Sequence, residues 1–160
     1  MVGFKPLTIE FDIERLLFEY DGIVKNEKPY SDPNGKKSST WYTIRLKDMT
    51  SEYCTQLANN IKKEYNIKGR TDPRFYRLKA NSPLPWHRDR ATQCSINVIL
   101  SDTCAPVLFR TNNEIFEYKY TVALLNTQIE HSVPSFDEDR LLFKISIFDE
   151  DFDSVASKIT

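Results

Sequence analysis

Residues 84–90 read Leu84-Pro85-Trp86-His87-Arg88-Asp89-Arg90. The stretch has the look of an extended strand ending near Asp89, and in a strand residues i and i+2 point to the same side. His87 and Asp89 therefore share a face while Arg88 points elsewhere. The chain contains two histidines, His87 and His131. If folding brings His131 beside the His87-x-Asp89 pair, the result is two imidazoles and one carboxylate, a donor set that holds Fe(II) and leaves coordination positions open. A site assembled from such distant residues asks for a fold that closes far-apart strands around one cavity.

The sequence around this stretch is β-rich. After Pro73 the expected strands are Arg74 to Lys79, Leu84 to Asp89, Cys94 to Leu100, Pro106 to Arg110, Ile115 to Tyr120, Val122 to Asn126 and Arg140 to Phe148. Turn formers such as Asn81-Ser82-Pro83 and Asn112-Asn113 separate them. Many short strands at this spacing predict a sandwich or barrel, and a cupin-like jelly roll, the double-stranded β-helix, is the version that encloses one central cavity. The fold class is thus mainly β with N-terminal helical elements. The closing segment Asp149-Glu150-Asp151-Phe152-Asp153 reads as a solvated tail with Phe152 anchored on the barrel.

Before Pro73 the pattern is mixed. Phe4 to Phe11 reads as extended, and Ile13 to Tyr20 fits a short helix or a strand. Asn26 to Thr40 collects proline, glycine, asparagine and serine, which predicts a long loop of the kind that often serves as a lid, with a tight reversal at Asn34-Gly35. Trp41 to Leu46 alternates as a half-buried strand does. Ser51 is a natural N-cap for a helix running to about Tyr65, whose Tyr53, Leu57, Ile61 and Tyr65 recur every fourth residue as a core-facing stripe.

Length and composition bound the rest. A chain of 160 residues buries enough surface for one domain and too little for two, so residues 1–160 are read as a single domain, with 1–70 supporting a jelly-roll core at 71–150. With 22 basic and 23 acidic side chains, no global field recruits nucleic acid or an anionic membrane. Cys54, Cys94 and Cys104 form no C-x-x-C pair, which favours reduced thiols in a cytoplasmic setting over a disulfide framework or thiolate zinc site. The N-terminus lacks the pattern of a signal peptide, and no run of apolar residues is long enough to span a membrane.

From Phe75 to Phe148 the chain resembles the catalytic core of the 2-oxoglutarate- and Fe(II)-dependent dioxygenases. The motif that carries the resemblance is His87-x-Asp89, then the distal His131, then the basic Arg140. The nine-residue step from His131 to Arg140 resembles that of the prolyl-hydroxylase-like branch. Phe75-Tyr76-Arg77-Leu78-Lys79 and Ala123-Leu124-Leu125-Asn126-Thr127 look like the strands that carry these elements.

The resemblance implies an oxygenase, in all expectation a hydroxylase of a C–H bond, that uses Fe(II), O2 and 2-oxoglutarate and releases succinate and CO2. It implies His87, Asp89 and His131 as metal ligands and Arg140 as the partner of the cosubstrate's far carboxylate, for which a planar guanidinium is suited. Alternation along β-rich residues 140–147 puts Lys144 and Ser146 on the Arg140 side, so either assists or replaces it. Tyr76, Asn97 and Asn126 are candidate hydrogen-bond donors to the cosubstrate, and Trp86, Arg88 and Arg90 flank the metal strand where substrate enters. The plain alternative for Arg140 is an ion pair with Asp137, Glu138 or Asp139.

The primary substrate is open among a protein side chain, an amino acid and a small metabolite, and the neutral charge leans against nucleic acid. Exposed edges of a small jelly roll leave room for a dimer. Short chains of this kind look like those of bacteria and their phages, which sets the expected location as cytoplasm, or host cytoplasm for a phage-borne chain. The rival reading from another class is a cupin-like module that binds a metal or small acid without turnover; a second keeps the fold but uses the metal for isomerisation or hydrolysis.

Overall fold

The structure is a computed structural model and describes residues 3–46, 52–102 and 105–159. Eleven strands and three α-helices are found among these residues, with one turn of 3-10 helix at Val24–Asn26 after the first α-helix. In chain order they are β1 (Phe4–Pro6), α1 (Ile13–Ile23), β2 (Lys28–Ser31), β3 (Lys37–Arg45), α2 (Glu52–Glu64), β4 (Thr71–Leu78), β5 (Leu84–His87), β6 (Cys94–Ile99), β7 (Val107–Thr111), β8 (Glu114–Tyr118), β9 (Val122–Leu125), β10 (Glu130–Val133), β11 (Arg140–Ile147) and α3 (Phe152–Ser157).

The strands form a seven-stranded sheet in the order β1-β9-β6-β11-β4-β3-β2 and a four-stranded sheet in the order β5-β10-β7-β8, with every pairing antiparallel. Together they make the expected jelly roll. Strands β1, β2 and β3, from the first 70 residues, lie in the large sheet. One face of that sheet packs on the helices: Phe75, Ile96, Leu124, Phe143 and Ile145 meet Leu16 of α1, Leu57 and Ile61 of α2 and Val155 of α3. The other face meets the small sheet through Tyr76, Leu125 and Leu142 against Val107 and Phe109. Burying a side chain of this size contributes about 1.5–3 kcal/mol, so the helix-facing layer is the main source of stability.

Helix α1 settles the ambiguity at residues 13–20. Asp12 caps it, its Oδ1 accepting the N–H of Arg15 at 3.1 Å, and Leu16 and Tyr20 face the core one turn apart. The stripe expected on α2 is present, with Leu57 and Ile61 buried. The Ser51 cap lies outside the described residues. The first N–H groups of α2 are met from another helix, because the Glu19 carboxylate accepts from Tyr53 N and Cys54 N.

Three local expectations change. Residues 26–40 are not a long loop: β2 and β3 pair as a hairpin, and only residues 32–36 turn. The reversal at Asn34-Gly35 is as expected, with Gly35 at φ +82° and Asp32 Oδ1 accepting the N–H groups of Asn34 and Lys36. The serines and threonine that read as loop formers lie along a strand near the sheet edge. Strand β4 begins at Thr71, ahead of Pro73: pairing with β3 ends at Arg45 opposite Arg74, and β11 alone carries the ladder on, with Ile145 opposite Pro73 and Ile147 opposite Thr71. The acidic segment near the C-terminus is not a solvated tail: Asp151 caps α3, and Phe152 and Val155 are buried. Asp149 accepts from Arg70 N at 2.6 Å, and Glu150 accepts from Lys68 N and pairs with Lys158.

Candidate metal centre

Strand β10, too short to stand out between the turn at Asn126–Ile129 and Pro134, puts His131 directly opposite His87 of β5. The two rings lie 4.3 Å apart. β5 ends at His87, so Asp89 sits in the following loop and does not continue the strand as expected. What brings it to the histidines is a backbone clamp. Asp89 N donates to Thr127 O at 3.0 Å, and Gln128 Nε2 donates to Asp89 O at 2.9 Å and to Thr92 O at 2.7 Å. Asp89 Oδ1 then lies 3.5 Å from His87 Nε2 and 3.6 Å from His131 Nε2. One ligand atom from each of the three residues falls within 4.8 Å of the others.

The donor set fits a divalent transition metal, and the evidence is in the proton positions. His87 Nδ1 is 2.8 Å from Pro85 O and His131 Nδ1 is 2.7 Å from Ile129 O. A carbonyl only accepts, so each Nδ1 carries the proton and each Nε2 presents a lone pair toward Asp89. Both rings are thus oriented by the carbonyl two residues earlier in the chain, Pro85 within β5 and Ile129 in the turn that leads into β10. Burial, with His87 beside it, pushes His131 down to about 4, which keeps its imidazole neutral. Burial opposes ionisation of Asp89, but Lys144, His87 and His131 outweigh it and hold the carboxyl well below the usual carboxylate range.

The second part of the site lies along β11. Arg140 is buried and does not pair with the acids beside it in sequence: its Nη2 donates to Tyr120 Oη at 2.9 Å, and Asp139 pairs with Arg77. Asn97 Nδ2 donates to the same Tyr120 oxygen at 3.0 Å, and Ser95 Oγ donates to Asn97 Oδ1 at 2.9 Å. With two donors occupying the lone pairs of Tyr120, its own proton is left for an acceptor in the cavity, which Tyr120 lines. The cavity runs from His87 and His131 past Lys144 and Leu142 to Arg140. Four residues of extended chain separate Lys144 from Arg140, about 13 Å between their Cα atoms.

Not every expected site residue is where the sequence suggested. Tyr76 lines the cavity, stacked on Trp41 at 5.1 Å, with Lys144 Nζ 5.5 Å from its ring. Asn126 also lines it, but its Oδ1 accepts from Gln128 N in the turn that positions Asp89. Ser146 is buried but does not line the cavity, being opposite Ser95 and Asp72 one step further along β11. Trp86, Arg88 and Arg90 do not line it either. Trp86 lies on the other face of β5 under the Arg110 guanidinium, 4.4 Å away, and the two arginines are exposed. Tyr120 and Trp41 went unnamed as site residues. Trp41 could be found from the alternation of its strand, whereas Tyr120 follows β8 and its direction is not readable from any periodicity.

No protein-family model matches this chain, and no curated protein matches it. Solved structures do. A prolyl-4-hydroxylase from Pseudomonas putida superposes with a TM-score of 0.72 at 10% identity, over 91% of this chain and 92% of that one. A prolyl hydroxylase from Trichoplax adhaerens, in complex with a hypoxia-inducible-factor oxygen-degradation-domain peptide fragment, gives 0.73 at 11% identity, over 99% and 88%. HygX from Streptomyces hygroscopicus, with nickel, 2-oxoglutarate and hygromycin B bound, gives 0.61 at 13% identity, over 90% and 82%. This chain has the fold of the 2-oxoglutarate–Fe(II) oxygenases. Its His87, Asp89 and His131 supply the H-x-D…H triad that the sequence resemblance named. Among the described residues no helix is long and apolar enough to cross a membrane.

Proposed function

We propose that the protein is an Fe(II)- and 2-oxoglutarate-dependent oxygenase that hydroxylates a C–H bond of its substrate. The observation that carries this reading is the convergence of Asp89 Oδ1 on two imidazole nitrogens whose protons are held elsewhere by Pro85 O and Ile129 O. His87, Asp89 and His131 would hold the iron. When iron and the cosubstrates are bound, they supply the oxidising chemistry: 2-oxoglutarate loses CO2 to become succinate, and one atom of O2 ends as hydroxyl on the substrate.

The chain's own residues prepare that chemistry by position. Arg140 and Tyr120 offer an N–H and an O–H at the end of the cavity away from the metal ligands, a seat for the far carboxylate of 2-oxoglutarate. Asn97 and Ser95 fix the direction of the Tyr120 hydroxyl. Leu78, Leu125, Val133 and Leu142 line the wall between and exclude water. Neutral His131 and ionised Asp89 mean that neither of these two has to give up a proton before a metal binds.

Substrate enters beside the metal ligands, where Trp41 stands over His87 with ring centroids 6.5 Å apart. Proteins of this fold have been captured with a peptide fragment and with hygromycin B, so both a peptide and a small molecule fit the architecture. Protein loaded with Fe(II) and incubated with 2-oxoglutarate, ascorbate and O2 is expected to form succinate slowly without added substrate, and His131→Ala to stop it. Metal and 2-oxoglutarate binding without succinate, in the presence of a peptide and metabolite panel, would favour the non-catalytic binding module.

A further inference from the structure

The carboxylate of Asp89 is divided between two kinds of partner. Oδ1 faces both imidazoles, while Oδ2 accepts from Lys144 Nζ at 3.1 Å. The main chain of Asp89 is fixed by Thr127 and Gln128, but neither touches the carboxylate, so the backbone clamp leaves it free to turn. Lys144 is the side chain bonded to Oδ2 among the described residues. Its own place is set on both sides by the sheet, with Arg74 of β4 and Asn97 of β6 as its register partners.

A carboxylate with both oxygens available can grip a divalent cation with one oxygen or with two. Fe(II) takes about six ligands, so a two-oxygen Asp89 would bring the protein's share to four. A 2-oxo acid binding through two atoms would then fill the sphere and leave no position for O2. An ammonium on Oδ2 prevents this: it has three donors and no lone pair, so it holds the oxygen without being a ligand itself. We propose that Lys144 is a positioning residue that keeps Asp89 a one-oxygen metal ligand and thereby holds a coordination position open for O2. This rests on the oxygenase reading above. The arrangement works against metal affinity, because it places a fixed positive charge beside the ion.

That opposition gives the test its sign. Co(II) is titrated into the wild type and into Lys144→Met, Lys144→Gln and Lys144→Arg, with the visible absorption of the bound metal recorded, and 2-oxoglutarate is then titrated into each complex. Lys144→Met is expected to bind Co(II) about tenfold more tightly, with shifted absorption bands that report a changed ligand set, and to keep 2-oxoglutarate affinity within a few-fold of the wild type, since the two positions that acid needs are still open. Lys144→Gln still offers an N–H to Oδ2 and is expected to keep wild-type bands while binding Co(II) more tightly. Lys144→Arg is expected to match the wild type throughout.

Wild-type bands and metal affinity in Lys144→Met with only 2-oxoglutarate lost would make Lys144 a direct contact of the cosubstrate and overturn the proposal. So would weaker Co(II) binding in Lys144→Met and Lys144→Gln alike with a lowered melting temperature, the mark of a purely structural ion pair. If Lys144→Met does not fold, shifted bands in Lys144→Gln overturn it. A wild type that binds no Co(II) refutes the oxygenase reading itself, a different failure from a wild type that binds it with all variants alike.

Discussion

The two faces of β11 present the same number of side chains to different purposes. Toward the helices stand Leu141, Phe143, Ile145 and Ile147; toward the small sheet stand Arg140, Leu142, Lys144 and Ser146. On the first face each side chain gains by leaving water, the partners are other hydrocarbons, and volume matters more than identity. On the second, Arg140 answers to Tyr120 and Lys144 to Asp89, and a change of chemistry strands a specific partner in a low-dielectric cavity. Substitutions on the helix face should therefore register as lost stability, and those around the cavity as lost binding.

The sharpest break is Phe143→Ala. Phe143 is fully buried in the helix-facing cluster, and the cavity left behind is expected to lower unfolding free energy by about 3–5 kcal/mol in a urea titration, with Ni(II) affinity unchanged in the protein that remains folded. His131→Ala reverses the signature: a thermal melt within a few degrees of the wild type, and metal affinity lower by about a hundredfold or more, since even residues that only support ligands are worth about 10–100-fold. Tyr120→Phe sharpens the contrast within the cavity, because it removes one oxygen and leaves N–H groups of Asn97 and Arg140 facing a ring. Its 2-oxoglutarate affinity, measured calorimetrically on the Ni(II) form, should fall about tenfold, the order of one charge-assisted hydrogen bond.

The smallest effect lies on neither face, in the clasp between residues 66–70 and 149–150. Asp149 is held below its usual range first by hydrogen bonds from Arg70, and Glu150 by Lys158 and Lys68 against the opposing effect of burial. A carboxyl whose folded value is depressed contributes stability that is present above its unfolded value, about 4, and is lost as pH falls through the folded value. Melting temperature should accordingly decline on acidification below about pH 4, and Glu150→Gln should flatten that decline while leaving metal binding untouched.

The same contrast explains what could be read in advance. The helix face was legible because hydrophobic spacing encodes it: the Leu57 and Ile61 stripe of α2 and the alternation of 140–147 fall where expected. The metal ligands were legible for a different reason, scarcity, since the chain's two histidines and Asp89 had few other assignments. What hid was anything set by a partner from elsewhere. Tyr120 turns toward Arg140 only after β8 has ended, β10 is four residues long, and the hairpin of β2 and β3 looks like a loop because its residues are polar turn formers lying near a sheet edge. Trp86 and Arg88, by contrast, follow the alternation that sets neighbours of His87 on the opposite side, Trp86 under the Arg110 guanidinium and Arg88 in solvent.

The two ends of the cavity are tied together in one measurement, the dependence of 2-oxoglutarate binding on metal. Calorimetric titration of 2-oxoglutarate into protein with and without Ni(II) is predicted to show one binding event per chain that requires the metal, disappears in His131→Ala and weakens at least tenfold in Arg140→Leu. Equal affinity with and without Ni(II), or full affinity in His131→Ala, would contradict the account, because the acid would then be held somewhere other than between the three ligands and Arg140.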